Sequence, residues 1–73
     1  MANLNKQYLI FLGKKIRAER EKLGISQEKL GELAKVHRTY VGMIERGEKN
    51  ITLSNLIKFA KALKLNVKDL IDF

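Results

Sequence analysis

Gln27-Glu28-Lys29-Leu30-Gly31-Glu32-Leu33-Ala34, then Lys35-Val36-His37, then Arg38-Thr39-Tyr40-Val41-Gly42-Met43-Ile44-Glu45-Arg46-Gly47, is the stretch that decides the fold. Its apolar residues recur at helical spacing: Leu30, Leu33 and Ala34 on one segment, Val41 and Ile44 on the next. Ser26 is a good N-cap for the first, with Glu28 in the first turn, where the helix dipole favours a carboxylate. Val36 and Val41 are spaced as a hydrophobic staple around a cap at His37, with Thr39 a rival start. Gly47 ends the second segment. Gly31 lies mid-helix, where glycine costs roughly 1 kcal/mol against alanine. A small residue there lets the next helix cross closely. Two short helices joined by a break of about three residues are the pattern of a helix-turn-helix, here about 27–46.

The rest of the chain is helical as well. A first segment runs from about Asn5 to Leu23, with Leu9, Leu12 and Ile16 inward and Gly24 as the terminating residue. A fourth runs from Leu53 to about Lys64, capped by Thr52, with Leu53, Leu56, Ile57, Ala60 and Leu63 as a broad apolar face. A fifth, short one runs from Val67 to Ile71, capped by Asn66 with Asp69 three residues on. The expectation is an all-α, compact five-helix single domain over residues 1–73.

Composition limits what such a domain can be. The chain has 73 residues and no cysteine or proline, so no disulfide can brace it. With a single histidine a zinc site is close to impossible, and no metal or cofactor is expected. A chain this short buries only about 60% of the surface it exposes when unfolded, so tight helix packing or a partner subunit must support it. Fifteen Lys+Arg against eight Asp+Glu give a net charge of +7, spread as +4 over residues 1–36 and +3 over residues 37–73. A basic domain points to a polyanion, against the plainer reading of a solubilising surface. The apolar run Tyr8–Leu12 is too short for a signal-peptide core or a membrane span, and a soluble cytoplasmic protein is expected. No arrangement of Ser, His and Asp, no paired carboxylates and no phosphate loop can be assembled, which argues against an enzyme.

The residues Ile16-Arg17, Gly24 to Leu30, His37 to Gly47 and Asn50 to Leu53 resemble the phage Cro/repressor-type (XRE) helix-turn-helix family, over roughly residues 14–72. The run His37-Arg38-Thr39-Tyr40 with Ile44-Glu45-Arg46-Gly47 resembles in particular the controller proteins of restriction–modification systems. The resemblance implies a lambda repressor-like DNA-binding domain and a sequence-specific transcription regulator, either a controller protein or an autoregulatory repressor. It would read a (pseudo)palindromic operator in double-stranded DNA as a homodimer, with helix 38–46 in the major groove.

On that reading Arg38, Thr39, Tyr40 and Met43 point outward. Arg38 suits guanine O6 and N7, Thr39 a base or a phosphate, Tyr40 a sugar or phosphate, and Met43 a thymine methyl. Gly42 would let the backbone approach DNA. The resemblance places Gln27 on a phosphate at its helix N-terminus. Arg46, Lys49 and Asn50 suit phosphate contacts, Arg17 less so, and His37 serves as a cap or phosphate neighbour. The family pattern pairs Arg20 with Glu45 as a structural link between the first and recognition helices. Family members commonly have glycine where Lys35 stands, so either a left-handed turn puts lysine at positive φ or the turn is shaped differently.

The apolar end Leu65, Val67, Leu70, Ile71 and Phe73 (a segment of about 65–73) reads as the two-fold interface, or else as a cap on the core. Tyr8 and Phe11, before the usual family start near Lys14, lengthen the first helix or touch the partner subunit. RNA polymerase is a further partner to consider, with Glu28, Glu32 and Glu48 as contacts or simply solvated charges. An antitoxin-type regulator ranks lower because no segment is left over to mask a toxin. A helical protein- or RNA-interaction module is the remaining alternative, disfavoured because the few aromatics fall mostly at core-like spacing. No membrane and no small-molecule ligand is expected.

Overall fold

In the computed structural model, which describes residues 5–73, five helices follow one another: α1 (Lys6–Lys22), α2 (Gln27–Ala34), α3 (Arg38–Glu45), α4 (Leu53–Ala62) and α5 (Val67–Leu70). Each begins where a side chain can take up an orphan N–H. Asn5, Ser26 and Thr52 accept from the amides of Tyr8 (3.2 Å), Lys29 (2.9 Å) and Asn55 (3.1 Å). His37 is the cap of α3: its Nδ1 accepts from the Thr39 amide at 3.0 Å. At α5 the Asp69 carboxylate accepts from the Asn66 amide at 2.9 Å.

The first four helices stop by one device. A residue in the left-handed region closes each: Gly24 (φ 69°), Lys35 (59°), Gly47 (70°) and Lys64 (61°). The next amide reaches back five residues to a carbonyl, Ile25 to Arg20 (3.3 Å), Val36 to Gly31 (2.9 Å), Glu48 to Met43 (2.9 Å) and Leu65 to Ala60 (2.8 Å). This is the Schellman pattern, in which the residue after the left-handed one tends to pack back on the helix. Ile25, Val36 and Leu65 do so, lying half-buried against the core. Lys35 therefore takes the left-handed turn position with a lysine side chain, and Lys64 does the same two turns later.

The core is assembled from Leu12 and Ile16 of α1, Leu30 and Ala34 of α2, Val41 and Ile44 of α3, Leu56, Phe59 and Ala60 of α4, together with Ile51, Leu63 and Leu70. Helices α2 and α3 lie against one another, α1 crosses α3, and α4 backs α2. Helix α1 approaches α3 closely at Gly13, where an added Cβ would lie 2.6 Å from the Glu45 carbonyl oxygen and would also strike that of Ile44. At Gly31 the near neighbour is the Val36 carbonyl of the turn, 2.7 Å from an added Cβ, so the glycine admits the turn more than the following helix.

Three residues assigned to inner faces by periodicity lie outside. Leu33 and Leu53 are 48% and 52% exposed, and Ile57 is also exposed. Both helices are short and are covered along one side only, so residues flanking the buried stripe remain in solvent. Leu70 departs in the opposite sense. It is 1% exposed and belongs to this chain's own core, which withdraws its side chain from the expected subunit interface. Leu65 and Val67 are half-buried against the same core, while Ile71 and Phe73 stay exposed. Tyr8 and Phe11 do lengthen α1, and Phe73 packs on both, with ring centroids 5.3 and 6.1 Å away. Among the described residues no helix is long and apolar enough to cross a membrane.

A non-glycine residue in the left-handed region costs roughly 1–2 kcal/mol, partly offset because glycine loses more entropy on folding. Lys35→Gly and Lys64→Gly are each expected to stabilise the fold by about 0.5–1 kcal/mol, read as a higher urea midpoint. Gly13→Ala is expected to destabilise by about 1–3 kcal/mol in the same assay, because the obstruction is backbone and cannot swing aside.

Candidate nucleic-acid interface

Helix α3 has only eight residues, too few to be stable alone in water. Its orientation comes from what it touches. Val41 and Ile44 anchor its inner face in the core, and Tyr40 lies half-buried at the edge with its ring stacked on Phe59 (centroids 6.1 Å apart). The Tyr40 hydroxyl accepts from Asn55 Nδ2 at 3.1 Å, which leaves its own proton to donate outward. Lys49 places its ammonium 6.0 Å from the same ring.

The C-terminal end is fixed by charge. Arg20 Nε and Nη2 donate to the two Glu45 carboxylate oxygens at 2.6 and 3.1 Å. Its Nη1 donates to the Ile25 carbonyl at 2.9 Å, and Gln27 Nε2 donates to Glu45 Oε1 at 3.0 Å. The side chains of Arg20 and Glu45 are 11% and 3% exposed. The bidentate bonds to Glu45 raise the guanidinium pKa above its ordinary value against the opposing effect of burial. No buried side-chain polar atom among the described residues lacks a partner. One cluster thus ties α1, the loop before α2, the first residue of α2 and the last residue of α3 together.

The outward face of α3 carries Arg38 and Thr39, both exposed, and Met43, half-exposed. Arg38 is not unengaged: its Nη1 donates to Glu28 of α2 at 3.0 Å, across the turn. Arg46, just past the helix, donates from Nε to Glu48 at 2.8 Å, and this bond holds the Glu48 carboxyl below the usual carboxylate range and the guanidinium above its own. The exposed Arg46 side chain also lies over Gly42, where an added Cβ would sit 3.0 Å from Nη1 and 3.5 Å from Gln27 Oε1. Gly42 is therefore buried beneath these side chains and is not an open stretch of backbone, which corrects the expectation for it. Lys49 and Asn50 are exposed in the loop that follows. Arg17 stands on α1, exposed and paired with Glu21 at 3.3 Å. Gln27 is half-buried, with one Nε2 proton given to Glu45 and the second left for the phosphate contact implied for it.

Sequence reasoning missed Asn55, Gln27's bond to Glu45, and Glu28 as the partner of Arg38. Each is a contact between elements, to which helical periodicity is blind.

A single small surface so assembled, presenting arginine, threonine and tyrosine from one short helix on a basic domain, is suited to a grooved polyanion. The model of the helix-turn-helix family matches residues 16–70. The chain belongs to the helix-turn-helix family of DNA-binding transcription regulators. The control protein C.BamHI of Bacillus amyloliquefaciens is 46% identical over 65 residues, covering 88% of this chain and 80% of that protein. The crystal structure of the restriction–modification controller protein C.AhdI from Aeromonas hydrophila matches with a TM-score of 0.84 and 40% identity, covering 85% of this chain and 94% of that one. The P22 c2 repressor, solved in complex with a synthetic operator, matches with a TM-score of 0.79 and 34% identity, covering 84% and 92% of the two chains.

Removing one partner of a buried ion pair leaves the other charge stranded, whereas removing both leaves an apolar site. Glu45→Ala is expected to cost about 3–5 kcal/mol, a large part of a small domain's stability. The double variant Arg20→Met/Glu45→Leu is expected to recover more than half of that in thermal melts followed by circular dichroism.

Proposed function

We propose that this regulator is of the restriction–modification controller type and binds a two-fold symmetric operator as a homodimer, with α3 in the major groove. The observation that carries the reading is the two-sidedness of α3. Val41, Ile44 and the Glu45–Arg20 pair lock one side to the domain, while Arg38, Thr39 and part of Met43 are exposed on the other. Its likeness to C.BamHI and C.AhdI supports the controller type, and its likeness to a repressor solved on an operator supports the docking mode.

In this reading Arg38 reads guanine O6 and N7, and Thr39 bonds a base or the backbone. Met43 offers an apolar contact. Tyr40, held by Asn55 and Phe59, directs its hydroxyl proton to sugar–phosphate. Arg46, Lys49 and Asn50 approach phosphates beyond the helix, with Gln27 and His37 near the α2 and α3 N-termini and Arg17 at the margin. The two-fold interface draws on Ile71 and Phe73, with Leu65 and Val67 contributing their exposed edges. The same two-fold axis is what a palindromic operator requires, with half-sites about one helical turn apart.

Selection from random-sequence duplex DNA is expected to enrich an inverted repeat. Arg38→Ala is expected to weaken binding to the enriched site by about 1–3 kcal/mol at fixed salt and to relax one base position per half-site. Enrichment of no sequence, with uniform salt-sensitive binding, would instead mark the charge as a generic polyanion footprint.

A further inference from the structure

Glu28 stands at the second position of α2, and Arg38 at the first position of α3. Their side chains meet across the turn at 3.0 Å although both are about two-thirds exposed, at 63% and 65%. Solvent-exposed pairs contribute little to stability, so the bond has no large structural task to perform. What it does fix is the direction of one guanidinium. An arginine at the end of a helix has four rotatable bonds and no packing to hold it. Here Nη1 is tied to a carboxylate on the neighbouring helix, while Nε and Nη2 make no bond among the described residues.

Glu32 also borders the shallow hollow outside the turn, but it is engaged by Lys29 at 3.7 Å, which leaves Glu28 as the carboxylate that Arg38 meets. The other outward arginine, Arg46, is bonded to Glu48, two residues along its own loop, and that bond crosses no helix pair.

We infer that Glu28 is a specificity-determining positioning residue: by tethering Arg38 across the turn it presents the guanidinium to one base rather than to the phosphates around it. The inference rests on the reading of Arg38 as a base-contacting residue. Two effects of the carboxylate then oppose each other. Its negative charge, close to the DNA backbone, lowers affinity for any duplex. Its hydrogen bond reduces the orientations Arg38 must give up on binding and keeps it from settling on a phosphate, which favours the right sequence over others. Such a residue raises discrimination while lowering overall affinity, a combination that neither a surface charge nor a folding contact produces.

The test measures dissociation constants for two duplexes at one salt concentration: the site enriched by selection, and a scrambled duplex of equal length. The proteins are wild type, Glu28→Ala, Glu28→Gln, Arg38→Ala and the Arg38→Ala/Glu28→Ala double variant, each checked by thermal melting. Glu28→Ala is expected to bind the scrambled duplex about three- to tenfold more tightly, with the ratio of specific to non-specific affinity falling about tenfold. Glu28→Gln keeps the reach and one acceptor without the charge, and is expected to show the same gain on the scrambled duplex but a smaller loss of the ratio. In the Arg38→Ala background, Glu28→Ala is expected to leave the ratio unchanged. An equal gain on both duplexes would overturn the inference, reducing Glu28 to a charge. So would a loss of ratio that persists without Arg38. If Arg38→Ala itself leaves the ratio intact, the base-contact reading of Arg38 fails and the inference fails with it, an outcome distinct from the other two.

Discussion

The Glu45 carboxylate is nearly enclosed and accepts three hydrogen bonds, two from Arg20 and one from Gln27. An ionised carboxylate in that position is tolerable only while those donors are present. The requirement runs in both directions. Arg20 can reach Glu45 only if α1 crosses the end of α3 without an intervening side chain, and Gly13 provides that approach. Gln27 can reach it only if α2 starts beside the end of α3, which the turn at Lys35 and the packing of Val36 ensure. The chain therefore has one arrangement in which all three helices satisfy the same charge. A core of mostly aliphatic residues can rearrange at modest cost; a buried carboxylate with three donors from fixed directions cannot. In this protein the polar cluster sets the angle of α3, and the apolar core supplies the driving force.

How much of this could be read in advance depended on how local each feature was. The five helices and the caps at Ser26, His37 and Thr52 follow from interactions within about five residues, and they stand as expected; the turn at Lys35, which the sequence left open between a left-handed form and another shape, is left-handed. The width of the buried stripe could not be read in this way. Whether Leu33, Leu53 and Ile57 are covered depends on which neighbours lie beside α2 and α4, and no period in the sequence encodes that. The same holds for Leu70, whose apolar character fits an interface and a core equally well. The Arg20–Glu45 pair spans 25 residues of sequence. Only its resemblance to a known pattern made it visible, and Gln27 and Glu28, which join the clusters around Glu45 and Arg38, carried no comparable signal.

The distribution of charge divides by residue type. All four arginines are engaged by carboxylates. All six glutamates are likewise paired, by these arginines or by Lys15, Lys22 and Lys29. Among the described residues, Lys6, Lys14, Lys35, Lys58, Lys61, Lys64 and Lys68 have no such partner, and Lys49 rests over an aromatic ring. From residue 49 to residue 68 there are five lysines and no acid. The planar guanidinium offers a fork that matches a carboxylate in two directions, so it is the residue that geometry can hold; the ammonium is a hydrated point charge on a flexible stem. The fixed positive groups and the net positive charge are thus carried by different side chains.

That division has a consequence for how a polyanion would be met. Uncompensated lysine charge acts over a Debye length of about 8 Å at physiological salt, regardless of side-chain orientation, and draws a phosphate backbone in without selecting a sequence. The paired arginines add little to that attraction, because their partners cancel it at a distance. At contact the situation reverses. Arg46 can exchange the Glu48 carboxylate for a phosphate oxygen and keep the number of its charge-assisted bonds, so the step costs little beyond moving Glu48 aside. Arg38 holds its carboxylate through one nitrogen, and its other two have no partner among the described residues, so the proposed base contact would not require giving up the bond to Glu28. A domain built in this way would separate long-range capture by lysines from short-range reading by arginines. The separation comes from the placement of six glutamates as much as from the fifteen cations, since those glutamates decide which positive charges are felt at a distance and which only on contact.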